Sequence, residues 1–143
     1  VPVVFLETKN YGYWSEVVKF LEKVMLKKGL ISGADKHLYK VCHSAEEALD
    51  YFDLFYKNYH STRYVGDSVS IRIKTQLSAA AIEKANQKFP ELFKDGKLHA
   101  SQPLPQEDNE PEIKHLPRLV FTWTKKDFGT LRHLIDFINE HTV

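Results

Sequence analysis

Chemistry-bearing side chains gather in two short stretches of this 143-residue chain. The denser is Asn58-Tyr59-His60-Ser61-Thr62-Arg63-Tyr64. It sets a candidate general base, His60, near Arg63, whose guanidinium stays charged and pairs readily with phosphate. Its tyrosines add aromatic platforms. The same residues also suit a helix terminus, with His60 at the negative end of the helix dipole and Arg63 in a structural ion pair. The second stretch is Tyr11-Gly12-Tyr13-Trp14. Its rings can stack on a base, or they can pack between a helix and a sheet or at a dimer seam. The remaining candidates are weaker. The seven histidines include no H-E-x-x-H pair, and His133 and His141 stand about two helical turns apart, too far for one ion. Surface or capping histidines, and no metal or cofactor, are therefore expected. Asp127-Phe128-Gly129 spells the kinase triplet without a glycine-rich loop or catalytic loop, which makes it a chance match.

The elements that position these residues follow from hydrophobic period. Val1, Val3, Val4, Phe5 and Leu6 form a nearly continuous apolar run, as in a parallel strand buried on both faces. Tyr11–Trp14 then lies beyond the strand's carboxyl end, where ligands of open α/β sheets bind. Val17, Val18, Leu21, Val24 and Met25 mark one face of a helix over Ser15–Lys28 that stops at Gly29. Asn10 or Ser15 is the expected cap. Leu38–Cys42 reads as a second strand, with Cys42 a buried, inert thiol. Ser44 and Glu47 form a capping box for a helix expected to run to about Tyr59.

Pro2-Val3-Val4-Phe5-Leu6, Gly12-Tyr13-Trp14 and a helix ending Lys28-Gly29-Leu30-Ile31-Ser32 resemble the closing part of the Lonely Guy (LOG) family fold. That family is Rossmann-like and was long labelled "possible lysine decarboxylase". The blocks Phe55–Val65, Leu116–Phe121 and Asp127–Asp136 resemble its longer bacterial members. The resemblance implies a phosphoribohydrolase that cleaves the N-glycosidic bond of nucleoside 5′-monophosphates and dimerises through its Rossmann-like part. It places the Gly12-Tyr13-Trp14 segment near the active-site cleft. Ligand-binding candidates are thus Tyr11, Tyr13, Trp14, His60 and Arg63. The family's Pro-Gly-Gly-x-Gly-Thr signature and catalytic glutamate do not occur here. Phe128-Gly129-Thr130-Leu131 imitates part of that signature, but Thr124-Lys125-Lys126-Asp127 replaces the glycine run and His133 stands where the glutamate belongs. One glycine cannot build a phosphate cradle. The chain is expected to be catalytically incomplete, with the nucleotide held through an upstream part. Val1, not a start methionine, is expected of a fragment or processed product. The alternative is a non-catalytic nucleotide-binding, regulatory or dimerisation module.

The rhythm changes after residue 60. Ser68–Lys74 and Arg118–Thr124 alternate strictly, as half-buried antiparallel strands do. Ser78 caps a helix that Pro90 ends, Lys97–Leu104 is a weak strand, and Asp127 caps the last helix, whose core face is Phe128, Leu131, Leu134, Ile135 and Ile138. The expected fold is α/β. Residues 1–60 form the C-terminal piece of a Rossmann-like parallel sheet. Residues 61–143 form a small α+β sandwich in the order β-α-β-β-α. Pro103–Pro117 is a long acidic loop, of a length that is either mobile or functional.

Composition narrows the partners. Hydrophobic residues make up 43% and charged residues 27%, ordinary for a soluble domain. No apolar run is long enough to span a membrane, and the first residues carry no basic signal-peptide region. A single cysteine agrees with the cytoplasm. The net charge is +1, and lysines and arginines are scattered among acids, which disfavours nucleic acid as a partner. The two N-terminal helices carry more large apolar residues than two strands can cover, which predicts a homodimer.

Overall fold

Val3–Leu6 (β1) and Tyr39–Cys42 (β2) pair in parallel, with Val3 opposite Tyr39 and Leu6 opposite Cys42, in a computed structural model that describes residues 1–142. Val143, the end of the expected second unit, lies outside the described residues. The crossover is helical. Helix α1 (Tyr13–Phe20) runs directly into a π-helical turn, Leu21–Leu26, and a 3-10 turn over Gly33–Leu38 leads into β2. This is the βαβ unit that the apolar run and the helical period imply. Cys42 is fully buried, and burial pushes its thiol pKa up, as an inert core cysteine requires.

Helix α2 spans Ala45–Phe55 and starts where expected: the Ser44 hydroxyl accepts the Glu47 amide at 3.1 Å. The Glu47 carboxylate reaches one residue further back than a capping box requires, to the His43 amide at 2.8 Å. The expected extension to Tyr59 is corrected. Asn139 intervenes: its side-chain amide donates to the Phe55 carbonyl at 2.6 Å and accepts from the Asn58 and Tyr59 amides at 2.8 and 2.9 Å. Buried Asn58 then pairs with the backbone of Thr75, accepting at 2.7 Å and donating at 3.0 Å. These bonds satisfy the helix end and launch a strand, β3 (Tyr59–Val65), where a boundary was expected.

The second sheet is four-stranded and wholly antiparallel, in the order β3-β4-β6-β5, with β4 Ser68–Ile73, β5 His99–Ser101 and β6 Arg118–Thr122. The order along the chain is β-β-α-β-β-α, one strand more than the sequence pattern indicated. Helices α3 (Ala79–Lys88) and α4 (Phe128–Glu140) cover one face. Ala81, Ala85, Leu131, Leu134, Phe137 and Ile138 pack there on Val69, Ile71, Ile73, Leu119 and Phe121. The expected caps form, Ser78 to the Ala81 amide and Asp127 to the Thr130 amide, and Pro90 opens a separate 3-10 turn. Phe128, expected on the core face of α4, is 57% exposed.

The opposite face was expected to meet solvent. It does not: Ser70, Arg72 and Arg118 are all buried. The acidic segment Pro103–Pro117 crosses them as a strap, folded into two 3-10 turns, Pro105–Glu107 and Pro111–Ile113. Glu107, fully buried, binds Arg72 Nε at 2.6 Å and Ser70 Oγ at 3.1 Å, lies 3.4 Å from Arg118 Nε, and receives the Leu104 amide at 2.9 Å. Glu110 pairs with Arg72 at 2.5 Å and with Arg63. Buried guanidiniums need such counter-charges, because desolvation otherwise costs several kcal/mol per ion. Two of the strap's four acids, Glu107 and Glu110, are therefore structural.

Candidate functional site

The chain turns at the carboxyl end of β1 around one carboxylate. Glu7 accepts the Trp14 amide at 2.6 Å, the Ser15 amide at 3.3 Å and the Ser15 hydroxyl. Gly12, at φ 65°, supplies the left-handed turn that brings those donors back. Glu7 thus fills the anion position at the start of α1 in place of the expected Asn10 or Ser15 cap. Its pKa is lowered, first by the Ser15 hydroxyl. Nothing local in the sequence marks this role. A lone acid closing an apolar run is its only sign, because the partners lie seven and eight residues on.

Around this turn sit three of the expected site residues. Trp14 stacks on Phe5 (centroids 4.6 Å apart, planes 8° apart), and Tyr13 meets Trp14 edge-on at 5.0 Å. Trp14 is therefore the ring that packs between helix and sheet. Tyr11 and Tyr13 stay exposed, at 81% and 58%. With Leu6, Glu7, Thr8 and Trp14 they line a cavity of about 310 Å³. An adjoining hollow of about 450 Å³ continues from Tyr11 and Tyr13 along α1 to Val17 and Phe20. The arrangement offers aromatic surface at a parallel strand's carboxyl end, with its one carboxylate already committed to the helix.

His60 and Arg63 do not join that site, nor each other. A β-bulge between Tyr59 and Ser61 offsets His60, whose ring bonds Ser61 Oγ at 2.9 Å. Arg63 lies on the strap side, bonded to Asn109 at 3.0 Å and to Glu110. The helix-terminus placement of His60 is likewise corrected, since it lies within β3; the ion pair of Arg63 is present. His60 instead borders a second cavity, about 510 Å³, at the junction of α2, β3 and α4. Its walls include Tyr56, Tyr59, Thr62, Tyr64, Phe128 and Arg132. The sequence offered one partial signal of it, the tyrosines of the Asn58–Tyr64 stretch.

His133 stacks on His37 with centroids 4.1 Å apart, between α4 and the Gly33–Leu38 turn. Burial, then the neighbouring His37, lowers its pKa. Asp136 lies 4.0 Å from His37, and burial raises its carboxyl despite the Arg132 pairing. Among the described residues no three His, Cys, Asp or Glu side chains converge as metal ligands would, and no helix is long and apolar enough to cross a membrane.

Gly129 has a different task from phosphate binding. A Cβ there would meet the backbone of Ala34 and come within 2.6 Å of the Asp35 nitrogen. The residue is a contact point between α4 and the Gly33–Leu38 turn. Comparison with protein-family models, with curated proteins and with solved structures finds no match to this chain.

Proposed function

We propose that this chain is the C-terminal portion of a Lonely Guy-like nucleoside 5′-monophosphate phosphoribohydrolase, giving the nucleotide an aromatic wall but none of the catalytic groups. The observation that carries this reading is the cavity beyond the carboxyl end of β1, walled by Tyr11, Tyr13 and Trp14. Ligands of parallel α/β sheets bind at that end, and the exposed faces of Tyr11 and Tyr13 suit a purine or pyrimidine ring. Glu7 is fixed to α1, and Phe128–Leu131 is a helix start packed on Ala34, so neither provides the reaction's carboxylate or cradle. In this reading groups outside these 143 residues bind the phosphate, stabilise the oxocarbenium-like ribosyl centre and activate water. The cytoplasm, where nucleoside monophosphates and a lone reduced cysteine coexist, is the compartment proposed with it.

The chain on its own is expected to release no adenine from AMP, followed by chromatography of the free base. Turnover by the purified chain, lost in His133→Ala, would transfer the chemistry to the α4 segment and overturn the reading.

A specific observation also favours the dimerisation alternative. No residue of α1 or of the π-helical turn after it is fully buried, and Phe20 is 53% exposed beside Tyr13 and Tyr11. Such contiguous apolar surface is rarely left to solvent. A homodimer joined through α1 is expected to sediment at twice the 16.6 kDa chain mass at micromolar concentration. Phe20→Asp is expected to return it to a monomer with unchanged helicity. A wild-type monomer would end the dimer proposal.

A further inference from the structure

We propose that the cavity at the junction of α2, β3 and α4 is a binding site for a small, uncharged, planar heterocycle. This goes beyond the phosphoribohydrolase reading and does not rest on it. The volume, about 510 Å³, lies within the usual range for small-molecule sites. Aromatic rings form much of its wall. Tyr56 and Tyr59 lie near parallel at 6.1 Å, with planes 30° apart. Tyr64 stacks on Trp123 at 5.7 Å, and Phe128 meets the same indole edge-on at 4.8 Å. Tyr64 and Phe128 are nonetheless more than half exposed, so their outward surfaces are open to a ligand. Flat walls of this kind favour a flat ring.

The polar groups on the wall set the charge. The Tyr59 and Thr62 hydroxyls pair at 3.0 Å, and Ser61 Oγ bonds the His60 ring. These groups can exchange donor and acceptor roles, which suits a heterocycle presenting both. Burial raises the pKa of Tyr59 and Tyr64, which keeps both phenols neutral. The one arginine on the wall, Arg132, is committed through both terminal nitrogens, and its remaining donor, Nε, is buried without a partner. Its guanidinium pairs with Asp136, donates to the Tyr51 hydroxyl at 2.8 Å, and lies 4.3 Å from the Phe55 ring centre. A ligand carboxylate or phosphate would have to break that pairing. An uncharged ring would not.

Trp123 supplies the readout, since both of its exposed aromatic neighbours line the cavity. In a Trp14→Phe chain, where Trp123 is the only indole, adenine is titrated at neutral pH with excitation at the red edge of indole absorption. Saturable quenching is expected. Thr62→Phe, which fills the cavity from β3, is expected to weaken it at least tenfold. Tyr64→Leu, a substitution at an exposed position, is expected to weaken it several-fold without lowering the melting temperature. Benzamide is expected to bind more tightly than benzoate. Absence of saturation with adenine, or an unchanged affinity in both cavity variants, overturns the proposal. Tighter binding of benzoate than of benzamide overturns the assignment of an uncharged ligand.

Discussion

Replacing Glu107 with alanine is expected to remove about 3–5 kcal/mol of folding stability, the usual cost of breaking a buried ion pair. The loss is that large because Glu107 is the fully buried acid between two buried arginines, Arg72 and Arg118. Without it Arg72 keeps Glu110 and the Ser61 hydroxyl, and Arg118 keeps the Ile113 and Leu116 carbonyls. The Leu104 amide also loses its acceptor. Urea denaturation should show a lower midpoint, and limited proteolysis should cut first within Pro103–Pro117. A loss below 1 kcal/mol would show that the strap is not held by this carboxylate. Acid should act through the same groups. Burial pushes the Glu107 carboxyl up, but the Leu104 amide, Arg72 and Ser70 outweigh it and leave the pKa lowered. Glu110 is lowered too, first by Arg63. A depressed carboxyl stabilises the fold above its unfolded pKa of about 4.3, and that stability disappears as pH falls through the folded value. Acid unfolding should therefore begin below about pH 4, and Glu107→Gln should flatten that limb.

Gly129→Ala is the second large effect. In a helix interior alanine stabilises by about 1 kcal/mol over glycine; at Gly129, the second residue of α4, that gain is smaller. Here the added Cβ would press on the carbonyl group of Ala34 and the nitrogen of Asp35, which are backbone atoms and cannot rotate away. Helix α4 or the Gly33–Leu38 turn must move, at a cost of roughly 3 kcal/mol, the upper end for overpacking. A net loss of about 2–3 kcal/mol is expected from these opposed contributions. The ring contact between His37 and His133 should loosen with it, seen as shifted imidazole proton resonances. A stabilised Gly129→Ala protein would show that the close approach of α4 to Ala34 is not maintained.

The elements that were legible in the sequence are those whose reasons are local. The parallel strand Val3–Leu6, the Ser44, Ser78 and Asp127 caps and the strand Ser68–Ile73 depend on neighbours within a few residues, and each forms. Their burial does not follow, since Val3 and Leu6 are 45% and 51% exposed rather than buried on both faces, and Ser68–Ile73 is covered on both. The errors share the opposite property. Helix α2 stops early because Asn139 reaches it from the far end of the chain. The polar face of Ser68–Ile73, with Ser70 and Arg72, is buried although alternation implies a solvent face, because alternation reports side-chain direction, not what later segments lay over it. Of the candidate site, Tyr11, Tyr13 and Trp14 do gather at one turn, since they are adjacent in sequence. His60 and Arg63 part because a β-bulge and the strap separate them. The role of Glu7 in capping α1 was missed because Asn10 and Ser15 looked better by residue type.

The Asn139 side chain also bears on how the chain is made. Its three backbone bonds join residues 80, 81 and 84 positions apart. A ribosome adds roughly 5–20 residues per second. Phe55 thus waits several seconds before the residue that caps its helix has even been synthesised. Throughout that interval the end of α2 and the start of β3 lack the amide that separates helix from strand. The nascent chain is free to continue the helix through Asn58-Tyr59, the extension that its local sequence favours. Synthesis and emergence of Asn139, not emergence of residues 55–59, is then the event after which this junction can acquire its native form.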